Sequence, residues 1–270
     1  MGPKSTNNLC ETFGYLSAQT ATKLAHSIRR GLAYGEQTIT DTNLLEIQIA
    51  HPSEVCVHKF NSRTERKSGA DWEWWFVDGP SNRGIGLRVQ AKKMDKQRNY
   101  SAFKESQCQA LLHDAATYSP ECFPFYCFYN WWWPESEIGP ECHCGQRAGS
   151  AAFGCSVLPA QIVLDDSGPK CDRSARLLRA SKPWQCLVCC KDAPKMGSIA
   201  ANVGGTISSF GFEAPGLSNI PLSLRRTLGY HPPDFVVEWY ESTDPVRAEV
   251  MLYAKKRNLR GVAVFSVNSQ

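Results

Sequence analysis

The stretch SGADWEWWFVDGPSNRGIGLRVQAKK, Ser68 to Lys93, decides how this chain is read. Two runs rich in aromatic and aliphatic residues flank DGPSNRG, whose Gly, Pro, Ser and Asn are turn formers, so the segment predicts a β-hairpin. In a strand, alternate side chains share a face. Asp71, Glu73 and Trp75 then point one way, and Trp72, Trp74 and Phe76 the other. On the returning strand Leu87, Val89 and Ala91 oppose Arg88, Gln90 and Lys92. A turn about Ser81 and Asn82 sets Asp71 opposite Ala91 or Lys92 and gathers Asp71, Glu73, Gln90 and Lys92 into one small polar area.

A carboxylate beside a lysine at the end of a hairpin is what metal-assisted phosphodiester cleavage requires. Asp71 can hold a hard cation, Mg²⁺ or Mn²⁺, through oxygen. The cation polarises the phosphate and helps generate hydroxide, while Lys92 positions water or offsets developing charge. The plainer alternative is a cross-strand salt bridge on a solvated face. The tryptophans weigh against it, because they imply a strand packed on its other side.

Around the hairpin the periodicity predicts alternating elements. LSAQTATKLAHSIRRGLAYG places Leu16, Leu24, Ile28 and Leu32 on one helical face, with Gly31 and Gly35 as stops. TDTNLLEIQIAH predicts a second helix, capped by Asp41 or Asn43, with Leu45 and Ile49 inward. Val55–Phe60 reads as a first strand, YSAFKESQCQALLHDAAT as a helix and FPFYCFYN as a buried fourth strand. The order is helix, three strands, helix, strand, an α/β pattern with one antiparallel hairpin in its middle. After Asn130 the periodicity weakens. WWWPESEIGPECHCGQRAGS reads as an irregular insertion, and GCSVLPAQIVL, PWQCLVCC, PDFVVEWY and RGVAVFSV could supply further strands or a short helix. The chain is therefore expected to divide into 1–130, a core, and 131–270, a cysteine-containing elaboration whose strands could equally extend the same sheet.

GADWEWW followed by VQAKK resembles the PD-(D/E)XK nuclease superfamily, and within it the Mrr-like restriction endonucleases, which use G-x-D and then Q-x-K. Matched position by position over about residues 40–130, Asp71 is the metal-binding aspartate, Gln90 the glutamine of the second motif and Lys92 the catalytic lysine. The resemblance implies a restriction-endonuclease-like core, a central mixed sheet flanked by helices. It implies a Mg²⁺- or Mn²⁺-dependent endonuclease acting on double-stranded DNA, with an activating or regulatory protein partner and a role in bacterial anti-phage defence. Many members add a glutamate from the first helix to the metal. Glu46 in LLEIQIA is suitably placed, although Asn43 and Glu46 also fit a capping box, and Glu65 is a rival. Glu73 lies outside the minimal motif and is either an extra ligand or the partner of an arginine. Gln107, on the following helix, either faces the site or caps buried polar groups.

The 270 residues are 42% hydrophobic and 21% charged, ordinary globular composition, and 30 Lys+Arg against 26 Asp+Glu give +4. That mild basicity permits a polyanionic partner without requiring one. Arg63, Arg66 and Lys67 before the first motif, and Lys93, Lys96 and Arg98 after the second, suit a phosphate backbone. No apolar run reaches the roughly 20 residues that span a bilayer. The start lacks the regions of a signal peptide, so the twelve cysteines read as reduced thiols in the cytoplasm. Cys142, Cys144, Cys186 and Cys189 could close a structural Zn²⁺ site; QCLVCC also reads as a strand in which cysteine is a small hydrophobe. Cys108, Cys122, Cys127 and Cys155 belong to that second class. A non-catalytic binding or assembly module is the alternative function, using the zinc region and an exposed patch at Trp131, Trp132 and Trp133.

Overall fold

The structure is a computed structural model that describes residues 8–60, 70–78, 83–100, 103–118, 120, 122–133, 150–169, 172–189, 199–211, 232–236 and 247–266. The hairpin forms as β2 (Trp72–Asp78) and β3 (Arg83–Lys93), antiparallel, with Trp72 opposite Val89 and Glu73 opposite Arg88. Continuing that register brings Asp71 to Gln90, one or two residues short of the expected Ala91 or Lys92. The turn residues 79–82 lie outside the described residues.

Before the hairpin come α1 (Leu9–Arg30), α2 (Glu36–Ala50) and β1 (Val55–Lys59); after it come α3 (Glu105–Thr117) and β4 (Cys122–Tyr129). The later elements are β5 (Cys155–Pro159), α4 (Ala160–Asp165), α5 (Arg173–Ala180), β6 (Lys182–Pro183), α6 (Ile199–Ser208), α7 (Arg247–Lys256) and β7 (Gly261–Ser266). They join one mixed seven-stranded sheet in the order β1-β7-β2-β3-β4-β5-β6. The β2–β7 and β3–β4 pairs are parallel and the other neighbours antiparallel. Strands from beyond residue 130 extend the same sheet, the second of the two arrangements left open: β5 continues it from β4, and β7 runs between β1 and β2. Of the late apolar segments, GCSVLPAQIVL splits into β5 and α4, PWQCLVCC coils into a 3-10 turn over Trp184–Leu187, and residues 234–236 are helical. Short apolar runs do not distinguish strand from buried helix, and here several are not strands.

Helices cover both faces of the sheet. Trp72, Trp74, Phe76, Leu87, Val89 and Ala91 pack beneath α1, α2 and α6. Trp75, Val77, Tyr126, Phe128 and Val264 pack beneath α3, α4, α5 and α7. The alternation read from the hairpin holds, but the face carrying Glu73 and Arg88 is buried too, where a solvated one was the plain expectation. The bulky indoles fit because the neighbouring strands offer glycines. Gly261 is paired with Trp72, and Gly86 with Trp75. A Cβ on Gly261 would run into the Trp72 ring and stand 2.6 Å from the His58 carbonyl oxygen. One on Gly86 would stand 2.8 Å from the Trp75 ring.

Helix α1 starts at Asn8, whose side chain accepts from the Glu11 N–H, and stops at Gly31 in the left-handed region at φ 66°. Leu32, expected on its inner face, is exposed beyond that stop. Helix α2 begins at Glu36, earlier than Asp41 or Asn43, and its phase differs from the expected one. Ile39, Leu44 and Ile47 face inward, whereas Leu45 and Ile49 are 57% and 63% exposed. The reason is polar. Asn43 is buried in mid-helix, donating to Thr20 Oγ1 at 3.0 Å, and this joint between α1 and α2 rotates the buried stripe.

Replacing Gly261 by alanine should lower stability by about 1–3 kcal/mol, the usual cost of overpacking against groups that cannot yield. Chemical denaturation with tryptophan fluorescence reads this directly, because Trp72 must move.

Candidate active site

Asp71 precedes β2 and is held by its backbone on both sides. Its N–H donates to the Val89 carbonyl at 2.9 Å, and its own carbonyl accepts from the Arg260 N–H at 2.8 Å. This fixes the carboxylate between β3 and the residue that opens β7. Oδ2 accepts from Gln90 Nε2 and, at 3.2 Å, from the Ala91 N–H. Oδ1 lies 3.5 Å from Arg260 Nε.

From Asp71 a polar chain runs to Lys92. Gln107 on α3 donates from Nε2 to Gln90 Oε1 at 3.0 Å, and Lys92 Nζ donates to Gln107 Oε1 at 3.0 Å. An ammonium can only donate and a carboxylate can only accept. Gln107 must therefore turn its oxygen to Lys92 and its nitrogen to Gln90, and Gln90 in turn must aim its nitrogen at Asp71. The two ends dictate both amide orientations. Gln107 thus faces the site, the first of the two roles open to it. Lys92 is 5% exposed and, among the described residues, joins no carboxylate ion pair. A solvated cross-strand salt bridge is excluded.

Burial pushes the Asp71 carboxyl above the ordinary range, opposed first by Arg260 and then by the Ala91 N–H; the Glu36 carboxylate pushes it further up and Lys92 pulls it down. Glu36 is the acid the sequence reading missed. It opens α2, and its Oε1 accepts from the Lys93 N–H at 2.9 Å, one residue past Lys92. The signal was available only with the true start of α2, since a helix beginning near Asp41 leaves Glu36 in a loop. Glu46 lies ten residues further along, about 15 Å of helical rise away, in a helix whose opposite end serves β1 through a Gln48 Oε1 contact with the Val57 N–H. It is not brought to Asp71, and with Asn43 in mid-helix it is no cap either. Glu65, Arg63, Arg66 and Lys67 lie outside the described residues.

Glu73 is a structural acid. It is wholly buried; its Oε1 accepts from Arg88 Nη1 and Arg257 Nη1, both at 2.8 Å, and its Oε2 from the Tyr253 hydroxyl at 2.7 Å. Arg88 also donates to the Arg257 carbonyl at 2.7 Å and to Asp114 Oδ2 at 3.3 Å, and both guanidiniums lie over the Tyr118 ring. With its oxygens so engaged, Glu73 is the partner of arginines and not a metal ligand.

The chemistry of Asp71 and Glu36 suits a hard divalent cation, because Mg²⁺ is commonly held by only one or two carboxylates. No group of three or more His, Cys, Asp or Glu side chains that could hold a metal occurs among the described residues. The proposed zinc set loses Cys189, which is disulfide-bonded to Cys10; Cys186 is buried and lies outside that disulfide, and Cys142 and Cys144 lie outside the described residues. The disulfide also corrects the reading of Cys10 and Cys189 as reduced cysteines. Cys108, Cys122, Cys127 and Cys155 are buried and free, as read. The tryptophans expected as an exposed patch are half-buried. Trp131 Nε1 donates to the Asp95 carbonyl at 2.9 Å, Arg98 covers Trp132, and Trp133 packs on Phe153. No helix among the described residues is long and apolar enough to cross a membrane.

Asp71→Asn and Glu73→Gln, changes on two acids of one face, should have opposite consequences. Asp71 binds its proton more tightly folded than unfolded, so its contribution to stability falls as pH rises from the ordinary carboxylate value through the raised one. The asparagine variant, which keeps an oxygen for Gln90 and Ala91, should match or exceed wild-type Tm at neutral pH and lose that advantage in acid. Glu73→Gln strands two buried guanidiniums and should cost about 3–5 kcal/mol. Thermal melts across pH check both.

The residues named above belong to a chain with a recognised relationship: the family described as a family of unknown function (DUF6615) matches residues 9–270, and the chain is a member of that family. No match was found among curated proteins.

Proposed function

We propose that this chain is a metal-dependent endonuclease that hydrolyses phosphodiester bonds in double-stranded DNA, with a restriction-endonuclease-like core. The observation that carries the reading is the relay Asp71–Gln90–Gln107–Lys92, which keeps a lysine buried beside an aspartate without a direct ion pair. Such an arrangement costs stability and serves no packing purpose, the usual mark of a working site. The likeness of GADWEWW and VQAKK to the G-x-D and Q-x-K motifs of Mrr-like enzymes supports it. So does the order helix, three strands, helix, strand, in which α3 connects two parallel strands.

Asp71 and Glu36 are the residues that would hold the cation, Asp71 through the oxygen not already bound by Gln90 and Ala91. A bound Mg²⁺ or Mn²⁺ supplies Lewis-acid polarisation of a phosphoryl oxygen and a more acidic water. Lys92, anchored by Gln107, keeps a positive charge where negative charge grows on the phosphorane oxygens. Gln90 fixes the Asp71 carboxylate through its amide and lets Lys92 feel that charge at one remove, so the lysine is positioned without being neutralised. Water attacks phosphorus, one P–O ester bond breaks, and the products are a phosphate monoester and an alcohol. A role in anti-phage defence, with an activating protein partner, follows from the restriction-enzyme likeness and belongs to the same proposal.

Plasmid cleavage in Mg²⁺ or Mn²⁺ tests it. Asp71→Asn and Lys92→Met should each lower cleavage at least about a hundredfold, and Glu36→Gln should lower it with a weakened cation requirement. Glu46→Gln should leave cleavage intact. Retained cleavage in Asp71→Asn or Lys92→Met, or none in wild-type protein supplied with its activator, overturns the proposal.

A further inference from the structure

Just past Lys92 the chain makes a tight loop that is fixed from within. Met94 and Tyr100 form an antiparallel bridge at its base. Asp95 closes it: its N–H donates to the Asn99 carbonyl at 2.7 Å, and its carbonyl accepts from the Arg98 N–H at 3.1 Å. Its Oδ1 accepts from the N–H groups of Gln97 and Asn99, both at 2.9 Å. Trp131 braces the same residue through its bond to the Asp95 carbonyl. On this frame Lys96, Gln97, Arg98 and Asn99 are all exposed. Arg98 sits in the left-handed region at φ 65°, where glycine or asparagine is at ease and arginine is strained. Its guanidinium carbon lies 4.4 Å from the centre of the Trp132 ring.

We propose that the loop Asp95–Asn99 docks the DNA duplex at this site, with Arg98 as a preset contact for a backbone phosphate near the one that is cut. The inference rests on the nuclease reading above and adds a substrate contact outside the Asp71–Lys92 relay. A glycine or asparagine would make the turn with less strain, so what Arg98 brings is its guanidinium. Among the described residues neither Arg98 nor Lys96 has a carboxylate partner. Asp95, the one acid of the loop, turns Oδ1 to the loop's own backbone. The Trp132 ring attracts the charge of Arg98 but is no anion, and a guanidinium beside it still offers paired N–H donors to phosphate oxygens. Arg98 therefore binds where it stands, and a contact that is already positioned costs little ordering. Six residues separate it from Lys92, at most about 20 Å of chain. A duplex carries a phosphate every roughly 3.4 Å of axis on each strand, so a strand seated at Lys92 has others within reach of Arg98. Such a contact fixes register and orientation rather than sequence.

Fluorescence anisotropy of a short labelled DNA duplex in Ca²⁺, measured across salt concentration beside thermal melts, tests this with wild type, Arg98→Gly and Arg98→Asn. Both replacements suit the left-handed backbone, so each should melt close to wild type, the relieved strain offsetting the lost contact with Trp132. Each should bind the duplex about three- to tenfold more weakly, with the salt dependence of binding reduced by about one unit of slope. In plasmid cleavage the loss should fall on KM rather than kcat, because Arg98 holds a neighbouring phosphate and not the reacting one. Wild-type affinity and salt slope in both variants overturn this inference alone. So does a loss of affinity that tracks an equal loss of melting temperature, which would make Arg98 a brace for Trp132. Wild-type protein that binds no duplex overturns the nuclease reading with it.

Discussion

A strand pair buried on both faces cannot carry a charge without supplying its partner, and this constraint organises the centre of the molecule. β2 and β3 lie mid-sheet with helices on either side. The apolar face meets the constraint with indoles and aliphatic chains. The other face carries Asp71, Glu73, Arg88, Gln90 and Lys92, and each needs an answer from elsewhere in the chain. Tyr253 comes from α7 and Arg257 from the residue after it, Asp114 and Gln107 from α3, and Arg260 from the residue before β7. Desolvation makes each of these contacts obligatory, because a buried charge left alone costs several kcal/mol. The polar face thus ties the late part of the sequence to the hairpin.

Two neighbouring clusters on that face meet the requirement differently. Around Glu73, donors and acceptors meet directly and at short range, and the result is rigid. Around Asp71 and Lys92 the opposite charges are kept apart by two amides, and the carboxyl stays above its ordinary range. A glutamate in place of Gln90 would pair with Lys92 or repel Asp71; glutamine does neither and passes polarity along. The contrast separates a directly paired ion cluster from one whose charges are held apart, within a few residues of the same strands.

Much of this was legible before any coordinates. Strict alternation through Asp71–Phe76 and Leu87–Lys92 assigns every side chain to its face, because a two-residue period leaves no freedom once the strand is recognised. Asp71, Gln90 and Lys92 come together for that reason, and Gln107 was suggested by its helix. The phase of α2 was not legible: the buried Asn43–Thr20 joint outweighs the apolar pattern of Leu45 and Ile49, and so Glu46 was preferred to Glu65 while Glu36 was missed. Nor could alternation say that Glu73 meets Arg257, a residue 184 positions away, or that Cys10 pairs with Cys189. Contacts at such separation depend on which strand lies beside which, and β7 between β1 and β2 is not implied by any local pattern.

That insertion of β7 bears on how the molecule comes into being. The strand beside Trp72 is made nearly 190 residues after it, so a nascent chain emerging from the ribosome exposes one side of β2, with Glu73 lacking Arg257 and Asp71 lacking Arg260, until almost all of the sheet has been synthesised. Non-local pairing of this kind is slow to form. The catalytic machinery proposed for the hairpin is consequently assembled last, and an incompletely translated product carries the motif residues without the arrangement that would let them act.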